Sequence, residues 1–443
     1  MTNAMTDQSS AIPEPEWGGF LAIDWADKKH AWSLCVPGAP RREHGEIEHS
    51  PEAIHIWITE LTTRFAGRPI AVCIEQSRGA LLFALSKYGN LFLYPIHPAA
   101  ANDFRKAVYP SGSKSDSVDA EVLLDFLLTH RNRLRLWRPD TEQTRELQFL
   151  VEDRRRMVDE KTRCLNRLTQ RLKMYFPQVL CWFGSVDSVL VWRFLEQWPH
   201  LEALRKARRS TLKTLLQRDG RYSPPEIEGF WPTIRDAIPA THDAAVIASS
   251  ILFVKTIVQQ LQLLHETIRE YDKRIGRLTE THPDFAIVSS FPGVGKALAP
   301  RLIAALGTQR ERFRNANELQ SYSGIAPVQE SSGKQHWTHV RRACPKFVRQ
   351  TFQEWAQHSV ARCEWAHAYY DQHRARGKQH QAIVRSLAFK WIRILYRCWQ
   401  NHTPYQEAAH SARLARRSSA SVKDVEIVWK KTAGFSKLAA LNP

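Results

Sequence analysis

Residues 69–75 read Pro-Ile-Ala-Val-Cys-Ile-Glu, and residues 21–27 read Leu-Ala-Ile-Asp-Trp-Ala-Asp. The first stretch is a nearly continuous apolar run, which predicts a strand buried on both faces of a sheet. The second is a shorter strand-like run that also ends in a carboxylate. Carboxylates at the carboxyl ends of neighbouring strands project into the crevice where open α/β sheets place their sites. Both stretches therefore predict the centre of a sheet, with Asp24 and Glu75 at one edge.

The flanking residues extend this sheet on both sides. Apolar spacing predicts two short strands within residues 18–36, broken near Asp27. Further along the chain it predicts a strand over residues 42–48 and a helix over 51–65. After the strand at 69–75 it predicts a helix over 81–88, a strand over 91–96 and a helix from Pro98. The order β-β-β-α-β-α-β-α predicts a mixed sheet with crossover helices. This is the order of an RNase H-like (RuvC-like) α/β domain.

The middle of the chain has a different pattern. Two stretches keep apolar residues at alternating spacings of four and three, which predicts two long coiled-coil-like helices: Leu147, Val151, Val158, Leu165, Leu168, Leu172 and Tyr175 in the first, and Ile257, Leu261, Leu264, Ile268, Tyr271, Ile275 and Leu278 in the second. The pattern fits pairing of the helices with each other or with a second subunit. Residues 177–241, between them, predict an inserted helical region of unknown role.

These patterns predict five segments. They are a flexible N-terminal tail over residues 1–16, the RNase H-like domain over 17–140, the helical middle over 141–284, a helical C-terminal domain over 285–405 and a basic tail over 406–443. The tail contains Arg413, Arg416 and Arg417 among serines, a composition typical of a flexible segment or of one that orders on nucleic acid.

The charge balance predicts a polyanionic partner. Lys and Arg number 63 against 45 Asp and Glu, which gives a net charge of +18. A membrane is the less favoured polyanion, because no apolar run approaches the roughly 20 residues that span a bilayer. The first 17 residues lack the order of a signal peptide, and the seven cysteines are scattered without a Cys-x-x-Cys pair. We therefore expect a cytoplasmic, nucleic-acid-binding protein.

Four carboxylates form the candidate catalytic centre. Asp116 and Asp119 join Asp24 and Glu75, and their spacing of three places them on one face of the helix that follows. Four converging carboxylates repel one another unless cations neutralise them, so we expect two Mg²⁺ ions, with Mn²⁺ as a substitute. Each carboxylate alone also fits an ordinary turn or helix cap. Their order along this fold favours the metal site.

These features resemble the DEDD-type insertion-sequence transposases of the IS110 family, also called bridge recombinases. The matching elements are Ile23-Asp24, Ile74-Glu75 followed by Gly79, the region of Pro95 and Pro98, and Lys114-x-Asp116-x-x-Asp119-Ala120. The chain departs from the family pattern in two places. The usual Ala-Thr-Gly after the glutamate is Gln76-Ser77-Arg78-Gly79, and the usual Lys-Thr-Asp is Lys-Ser-Asp.

The resemblance continues near the C-terminus. The family carries a Pro-Gly-x-Gly turn, a Gly-Leu-x-Pro element and a Ser-Gly pair in this order, and the chain has residues 292–295, residues 324–327 and Ser332-Gly333. The resemblance implies that Ser332 is the recombination nucleophile, with Ser331 as a neighbour that could be mistaken for it. Taken alone, Ser331-Ser332-Gly333 is better explained as an ordinary polar turn, and its occurrence together with the four carboxylates favours the nucleophile.

Basic residues and glycines near these motifs are the candidate nucleic-acid contacts. A Pro-Gly-x-Gly turn lets backbone N–H groups and a helix N-terminus approach a phosphate, although it is also simply a tight turn. The candidate contacts are Gly293, Gly295, Lys296, Lys334, Arg341 and Arg342. His336 and His339 lie close to Ser332 in sequence, and a serine needs a base to attack phosphorus. The sequence assigns this role to neither histidine.

The resemblance implies a transposase that recombines donor and target DNA of a mobile element. It also implies guidance by a structured RNA that the element encodes, and a tetramer in which the carboxylates of one subunit and the serine of another form a composite site. Two other functions fit the residues. One is a metal-dependent nuclease like a Holliday-junction resolvase, which uses no serine. The other is an inactive nucleic-acid-binding descendant, in which the same polar residues are structural.

Overall fold

The computed structural model describes residues 15–75, 79–109, 116–220, 222–333 and 335–412. Several sequence expectations lie outside this part: the N-terminal tail up to residue 14, the loop 76–78, Lys114 and Ser115, Lys334, and the basic tail from residue 413. The chain divides into two compact units, Met1–Pro139 and Asp140–Pro443. We describe each unit by itself.

The first unit is a five-stranded mixed sheet with helices on both faces. Its elements follow the predicted order: β1 (Gly19–Asp24), β2 (Lys29–Cys35), β3 (Glu43–Glu48), α1 (Pro51–Arg64), β4 (Ile70–Ile74), α2 (Ala80–Leu85), β5 (Leu91–Pro95), α3 (Pro98–Val108) and α4 (Asp116–His130). The spatial order is β3-β2-β1-β4-β5. β1, β4 and β5 run parallel, and the β1–β2 and β2–β3 pairs are antiparallel. The sheet is consistent with an RNase H-like domain.

Side-chain alternation along the central strands builds one apolar layer on each face of the sheet. Leu21, Ile23, Val72 and Ile74 pack with α1 and α2 in one layer. Ala22, Ala71 and Cys73 pack in the other layer with α4, which contributes Leu123, Leu124 and Leu127. All five residues of β4 are buried, as its continuous apolar run predicts. The small side chains of Ala22, Ala71 and Cys73 leave room for α4 to lie close to the sheet.

The second unit is mostly helical. Its elements are α5 (Glu142–Tyr175), α6 (Gln178–Phe183), α7 (Val189–Gln197), α8 (Leu201–Arg205), α9 (Arg209–Gly220), α10 (Pro224–Asp236), α11 (Ala244–Glu280), α12 (Phe285–Ser289), α13 (Leu298–Leu306), α14 (Ala316–Tyr322), β6 (Val328–Ser332), β7 (Gln335–His339), α15 (Lys346–Val360), α16 (Glu364–Ala375) and α17 (His380–Gln400). The antiparallel pair β6–β7 corrects the expectation of a purely helical C-terminal domain.

The two long helices α5 and α11 pack against each other within one chain. At 34 and 37 residues, each extends about 50 Å at the rise of an α-helix. Their ends belong to two separate apolar clusters. Leu147, Val151 and Ile275 pack with α12–α17, and Leu168 and Leu261 pack with α6–α10. The helical pair therefore joins the inserted helical region to the C-terminal helices.

α11 is also the one described helix long and apolar enough to cross a membrane by length and composition. From the sequence no apolar run of this length was expected, and Ser249, Ser250 and Lys255 interrupt the apolar residues of this helix. Buried helices of proteins that span no membrane pass the same test. Here Val254, Ile257, Val258 and Leu261 of α11 are buried against the neighbouring helices.

Candidate carboxylate centre and serine hairpin

Asp24 and Glu75 lie at the carboxyl ends of two adjacent parallel strands. Asp24 is the last residue of β1, and Glu75 follows β4 directly. The register pairs Ile23 with Ile74, so the next residue on each strand is one of the two carboxylates. By alternation they lie on the face of Ala22 and Cys73, which is the face that α4 covers. The structure thus brings these two predicted residues to one edge of the sheet.

The surroundings of Cys73 support this placement of Glu75. Burial raises the pKa of the Cys73 thiol to about 12, and the nearby negative charge of Glu75 contributes in the same direction. Like charges disfavour one another at short range, so the thiolate form is suppressed. The interaction is consistent with the Glu75 side chain lying on the same face of β4 as Cys73.

Asp116 and Asp119 belong to the first turn of α4, the helix that covers this face. The helix begins at Asp116, whose side chain lies outside the described part of the structure. Asp119 is half-buried, and the next residue, Ala120, is fully buried. Spacings of three and four place Asp116, Asp119 and Leu123 along one side of the helix, and Leu123 packs on the sheet. Asp119 therefore lies on the side of α4 that packs on the sheet.

Arg105 of α3 pairs with Asp119. Its Nη1 lies 2.5 Å from Asp119 Oδ1, and the two side chains are only 16% and 15% exposed. A guanidinium at this position neutralises one carboxylate of the predicted set. The pairing crosses from one helix to the next, and Arg105 was not among the site residues predicted from the sequence. An arginine in the last turn of a helix is an unspecific pattern, since it also fits the helix dipole.

The predicted ligands suit a hard divalent cation by chemistry, because all four are carboxylates and Mg²⁺ prefers oxygen ligands. Three of them lie on one face of the first unit. Among the side chains that the structure describes, no three His, Cys, Asp or Glu groups come close enough to hold one metal ion. Asp116 is not among those side chains. Asp24, Glu75 and Asp119 therefore suit the metal by residue type but do not converge on one ion position in this structure, and the predicted metal set stays a prediction.

Ser332 lies at the tip of the β6–β7 hairpin. It pairs with Gln335, and the two residues between them are Gly333 and Lys334. Gly333 has φ +57°, the left-handed conformation that a two-residue hairpin turn requires at its first position. Ser332 is exposed, as are all five residues of β7. The serine is therefore the last residue of β6, directly before the hairpin turn, and it is accessible to a large substrate.

Ser331 and Ser332 point to opposite faces of this hairpin. Ser331 lies opposite His336 on one face, whereas Ser332 shares the other face with Glu330 and Trp337. His339 also lies on the Ser332 face, and its Nε2 is 3.6 Å from Glu330 Oε2. His336 thus lies beside Ser331 and on the face opposite Ser332, so its position does not suit a base that activates Ser332.

The base of the hairpin is fixed to the helical core. Gly324, with φ +71°, ends α14, and the amides of Ile325 and Ala326 donate to the carbonyl of Gln320. Arg341, just after β7, donates from Nε to the carbonyl of Ala326 at 3.4 Å. Arg341 is half-buried at this joint, and Arg342 is exposed. The hairpin therefore has an anchored base and an exposed tip.

The Pro-Gly-x-Gly turn precedes α13. The carbonyl of Pro292 accepts a hydrogen bond from Trp355 Nε1 at 3.1 Å. A Cβ on Gly293 would lie 2.8 Å from the backbone of α15, whereas a Cβ on Gly295 would meet nothing within 4 Å. Gly293 thus permits close packing, and Gly295 and Lys296 are exposed beside the start of α13. Only the second half of the turn is open to a phosphate.

A sheet with carboxylates at its central strand ends, followed by a helical unit with an exposed serine hairpin, fits a DNA transposase. Family models agree: a model of DEDD transposases of IS110 type matches residues 21–177. A second model, described as the transposase IS116/IS110/IS902 family, matches residues 286–371. The chain belongs to the IS110 family of transposases, enzymes that cut and rejoin DNA.

Curated relatives extend over most of the chain. The mini-circle putative transposase for IS117 of Streptomyces coelicolor is 27% identical over 80% of this chain and 87% of its own length. An uncharacterized 43.6 kDa protein of insertion element IS110 from the same organism is 27% identical over 81% of this chain and 88% of its own length. The pilin gene-inverting protein of Moraxella bovis is 32% identical over 15% of this chain and 22% of its own length.

Proposed function

We propose that this transposase breaks and rejoins DNA with two sets of residues, a metal-bound carboxylate set (Asp24, Glu75, Asp116 and Asp119) and the nucleophile Ser332. The observation that carries the proposal is the register of β1 and β4. It sets Asp24 beside Glu75, on the sheet face that α4 covers with Asp119. The exposed tip of the β6–β7 hairpin supports the serine half, because a nucleophile for duplex DNA must be accessible to a large substrate.

The carboxylate set would hold two Mg²⁺ ions, with Mn²⁺ as an effective substitute. Metal bound there would neutralise phosphate charge and stabilise the leaving oxygen in phosphodiester cleavage. The protein's own contribution is to fix the carboxylates: β1 and β4 hold two at the strand ends, and α4 carries the other pair. Arg105 partly balances the negative charge at Asp119.

In the serine half, Ser332 Oγ would attack a backbone phosphorus atom. The Oγ–P bond forms, the bond from phosphorus to one deoxyribose oxygen breaks, and that oxygen leaves as a hydroxyl after protonation. Attack by a hydroxyl of the second strand would then displace Ser332 and reseal the backbone. The seryl phosphodiester conserves the bond energy, so joining needs no ATP.

The partners in this proposal are donor DNA, target DNA and a structured guide RNA encoded by the element. The net charge of +18 supports binding to more than one polyanion.

The family's composite site implies a homotetramer, with carboxylates and serine from different subunits. The enzyme would act in the bacterial cytoplasm, at the nucleoid. The division of the second unit at about residue 285 is part of the same proposal.

Substitution of Asp116 tests the metal half. Asp116→Asn should abolish strand cleavage in Mg²⁺ while DNA affinity is unchanged or slightly higher, because one charge that repels phosphates is removed. Thermal unfolding and a DNA-binding isotherm measured on the same protein distinguish loss of chemistry from loss of fold. Normal cleavage by Asp116→Asn would contradict the metal set, and a largely unfolded protein would favour a capping role.

Mixing two inactive variants tests the composite site. Asp116→Asn and Ser332→Ala should each be inactive in recombination, and co-expression should restore activity because mixed oligomers contain some sites with both functional groups. Failure of the mixture, with both variants folded and oligomeric, would place the carboxylates and the serine in the same subunit. Normal recombination by Ser332→Ala alone would favour a metal-dependent nuclease of the resolvase kind.

A further inference from the structure

Two tryptophans in the described part of the chain are exposed. They are Trp25, at 39%, and Trp337, at 43%; the others described are buried or half-buried. Trp25 follows Asp24 directly and stacks on the buried His30 at a ring distance of 6.5 Å. Trp337 lies on the serine hairpin. Each exposed indole is thus next to one of the two candidate sets of catalytic residues.

Trp337 is on the same face of the hairpin as Ser332. It pairs with Glu330, two residues before Ser332 on β6, so Trp337 and Ser332 are diagonal neighbours across the strands. Diagonal neighbours in a sheet are about 7–8 Å apart at Cα, within reach of an indole ring. Within the described residues, the Trp337 indole makes no hydrogen bond, ring stacking or cation–π contact. The exposed part of the indole is available to a ligand beside Ser332.

The hairpin fold does not account for this side chain. Every residue of β7 is exposed, so Trp337 belongs to no apolar cluster of the described residues. A two-stranded hairpin is marginal on its own, and this one is held by its anchored base rather than by its tip. An exposed aromatic ring that contributes little to packing is more readily explained by what it binds.

The charges near the hairpin favour a nucleic acid as that ligand. The exposed Arg342 and Lys346 follow β7, and the hairpin's one carboxylate, Glu330, lies 3.6 Å from His339. The chain carries a net charge of +18 and acts on DNA as a transposase. Cations that bind phosphates beside an aromatic ring that stacks on bases are the usual combination in single-strand binding.

We propose that Trp337 stacks on a DNA base next to the scissile phosphate and so holds the strand across Ser332. The base must be unstacked from its duplex neighbour, a state that arises when strands separate during exchange. The inference rests on the proposed function, since it takes the phosphate at Ser332 as the reacting one. Stacking is tolerant of sequence because every base has a π-face. Trp337 would therefore position the strand without selecting a particular target.

Photocrosslinking in a Ser332→Ala background tests this contact without the covalent step. Full-length protein is purified from cells that carry the whole element, so that the nucleic acid it requires is present. It is mixed with nicked DNA from the element's ends that carries 5-iododeoxyuridine on either side of the nick. Irradiation should link the DNA to Trp337, as mapped by peptide mass spectrometry. DNA affinity is measured by competition with unlabelled DNA of the same sequence.

The variants separate stacking from general hydrophobicity. Trp337→Leu should lower affinity for nicked DNA about 5- to 100-fold, the range for loss of one base–aromatic stack. Trp337→Phe keeps a π-face and should retain most of the affinity. Phe149→Leu, at another exposed aromatic residue, is the matched control and should bind like the parent. Thermal unfolding of the two Trp337 variants should be unchanged, because the hairpin tip carries no core packing.

Three results would overturn the inference: unchanged affinity in Trp337→Leu, a crosslink that maps to another residue, or a smaller oligomer with unchanged DNA affinity. The last would assign Trp337 to a contact with a second copy of the chain.

The serine mechanism is tested separately, in protein that retains Ser332. Absence of a covalent DNA conjugate there, with the Trp337 crosslink intact, would reject the nucleophile and keep the base contact.

Discussion

Gly293 and Gly295 are two residues apart in one turn, but the fold constrains them differently. Gly293 has φ +79°, and a Cβ there would lie 2.8 Å from the backbone of His358 and Ser359. Gly295 has open space around its Cα. Gly293→Ala should therefore lower the free energy of unfolding by about 1–3 kcal/mol, through backbone strain and displacement of α15.

Gly295→Ala is the matched control for this prediction. Its effect on chemical unfolding should stay within about 0.5 kcal/mol, since the site is exposed and no atom must move. If the open half of the turn contacts a phosphate, DNA affinity should fall in Gly295→Ala while stability is retained. Equal loss of stability in both variants would contradict the packing role of Gly293.

Asp24 and Glu75 could be located from sequence because each ends an apolar strand, and strand ends of a parallel pair meet at one edge. Arg105 and Trp337 could not. Arg105 is defined by its contact with Asp119 on the next helix, and no spacing within α3 reveals that contact. Trp337 is a candidate only because it is exposed, and most tryptophans in proteins are largely buried.

At the scale of elements, His282 links the end of α11 to the start of α5. Its Nδ1 accepts from the amide of Asp284 at 3.1 Å, so the proton lies on Nε2, which donates to Thr144 Oγ1 at 2.9 Å. Burial lowers the pKa of His282 below 6.5; Asp284 opposes this shift and Arg310 adds to it. The folded protein therefore holds this imidazole neutral.

This arrangement predicts acid destabilisation of the second unit. The pKa of His282 is lower in the folded protein than the value of about 6.5 in the unfolded chain. Between these two pH values the unfolded chain binds a proton that the folded chain does not. The free energy of unfolding therefore rises with pH across this range and falls as the pH is lowered through it. His282→Gln should flatten the dependence of the thermal midpoint on pH below 6.5. His367→Gln, at an exposed histidine, should follow the wild-type curve. Identical slopes for wild type and His282→Gln would contradict the assignment.

The two long helices could be predicted because their heptad spacing persists for several turns. The sequence did not predict whether each helix pairs with the other or with a second subunit. Both pairing within a chain and pairing between chains bury the same residues, and the structure shows α5 on α11. The β6–β7 hairpin was missed for a different reason. Its residues are mostly polar and exposed on both faces, so it lacks the apolar alternation that indicates a strand.

For the whole molecule, the net charge of +18 predicts binding that depends steeply on salt. Each phosphate neutralised by Lys or Arg releases counterions, so the logarithm of the DNA association constant should fall with the logarithm of salt concentration by about 0.9 per contact on duplex DNA. Fluorescence anisotropy between low and moderate salt measures this slope. RNA should compete for part of the surface. Affinity that barely changes with salt would contradict a nucleic-acid role for the charge.

If Ser332 attacks phosphorus, the enzyme becomes covalently linked to one DNA end, and the protein–DNA conjugate can be trapped. Wild-type protein is incubated with Mg²⁺ and a suicide substrate whose cleaved end diffuses away, then denatured. The account predicts a conjugate that survives denaturation and maps to Ser332. Ser332→Ala should abolish it, and Ser331→Ala, on the opposite face of the hairpin, should retain it. Cleavage that leaves free ends with no conjugate, or a conjugate that maps to another residue, would contradict the account.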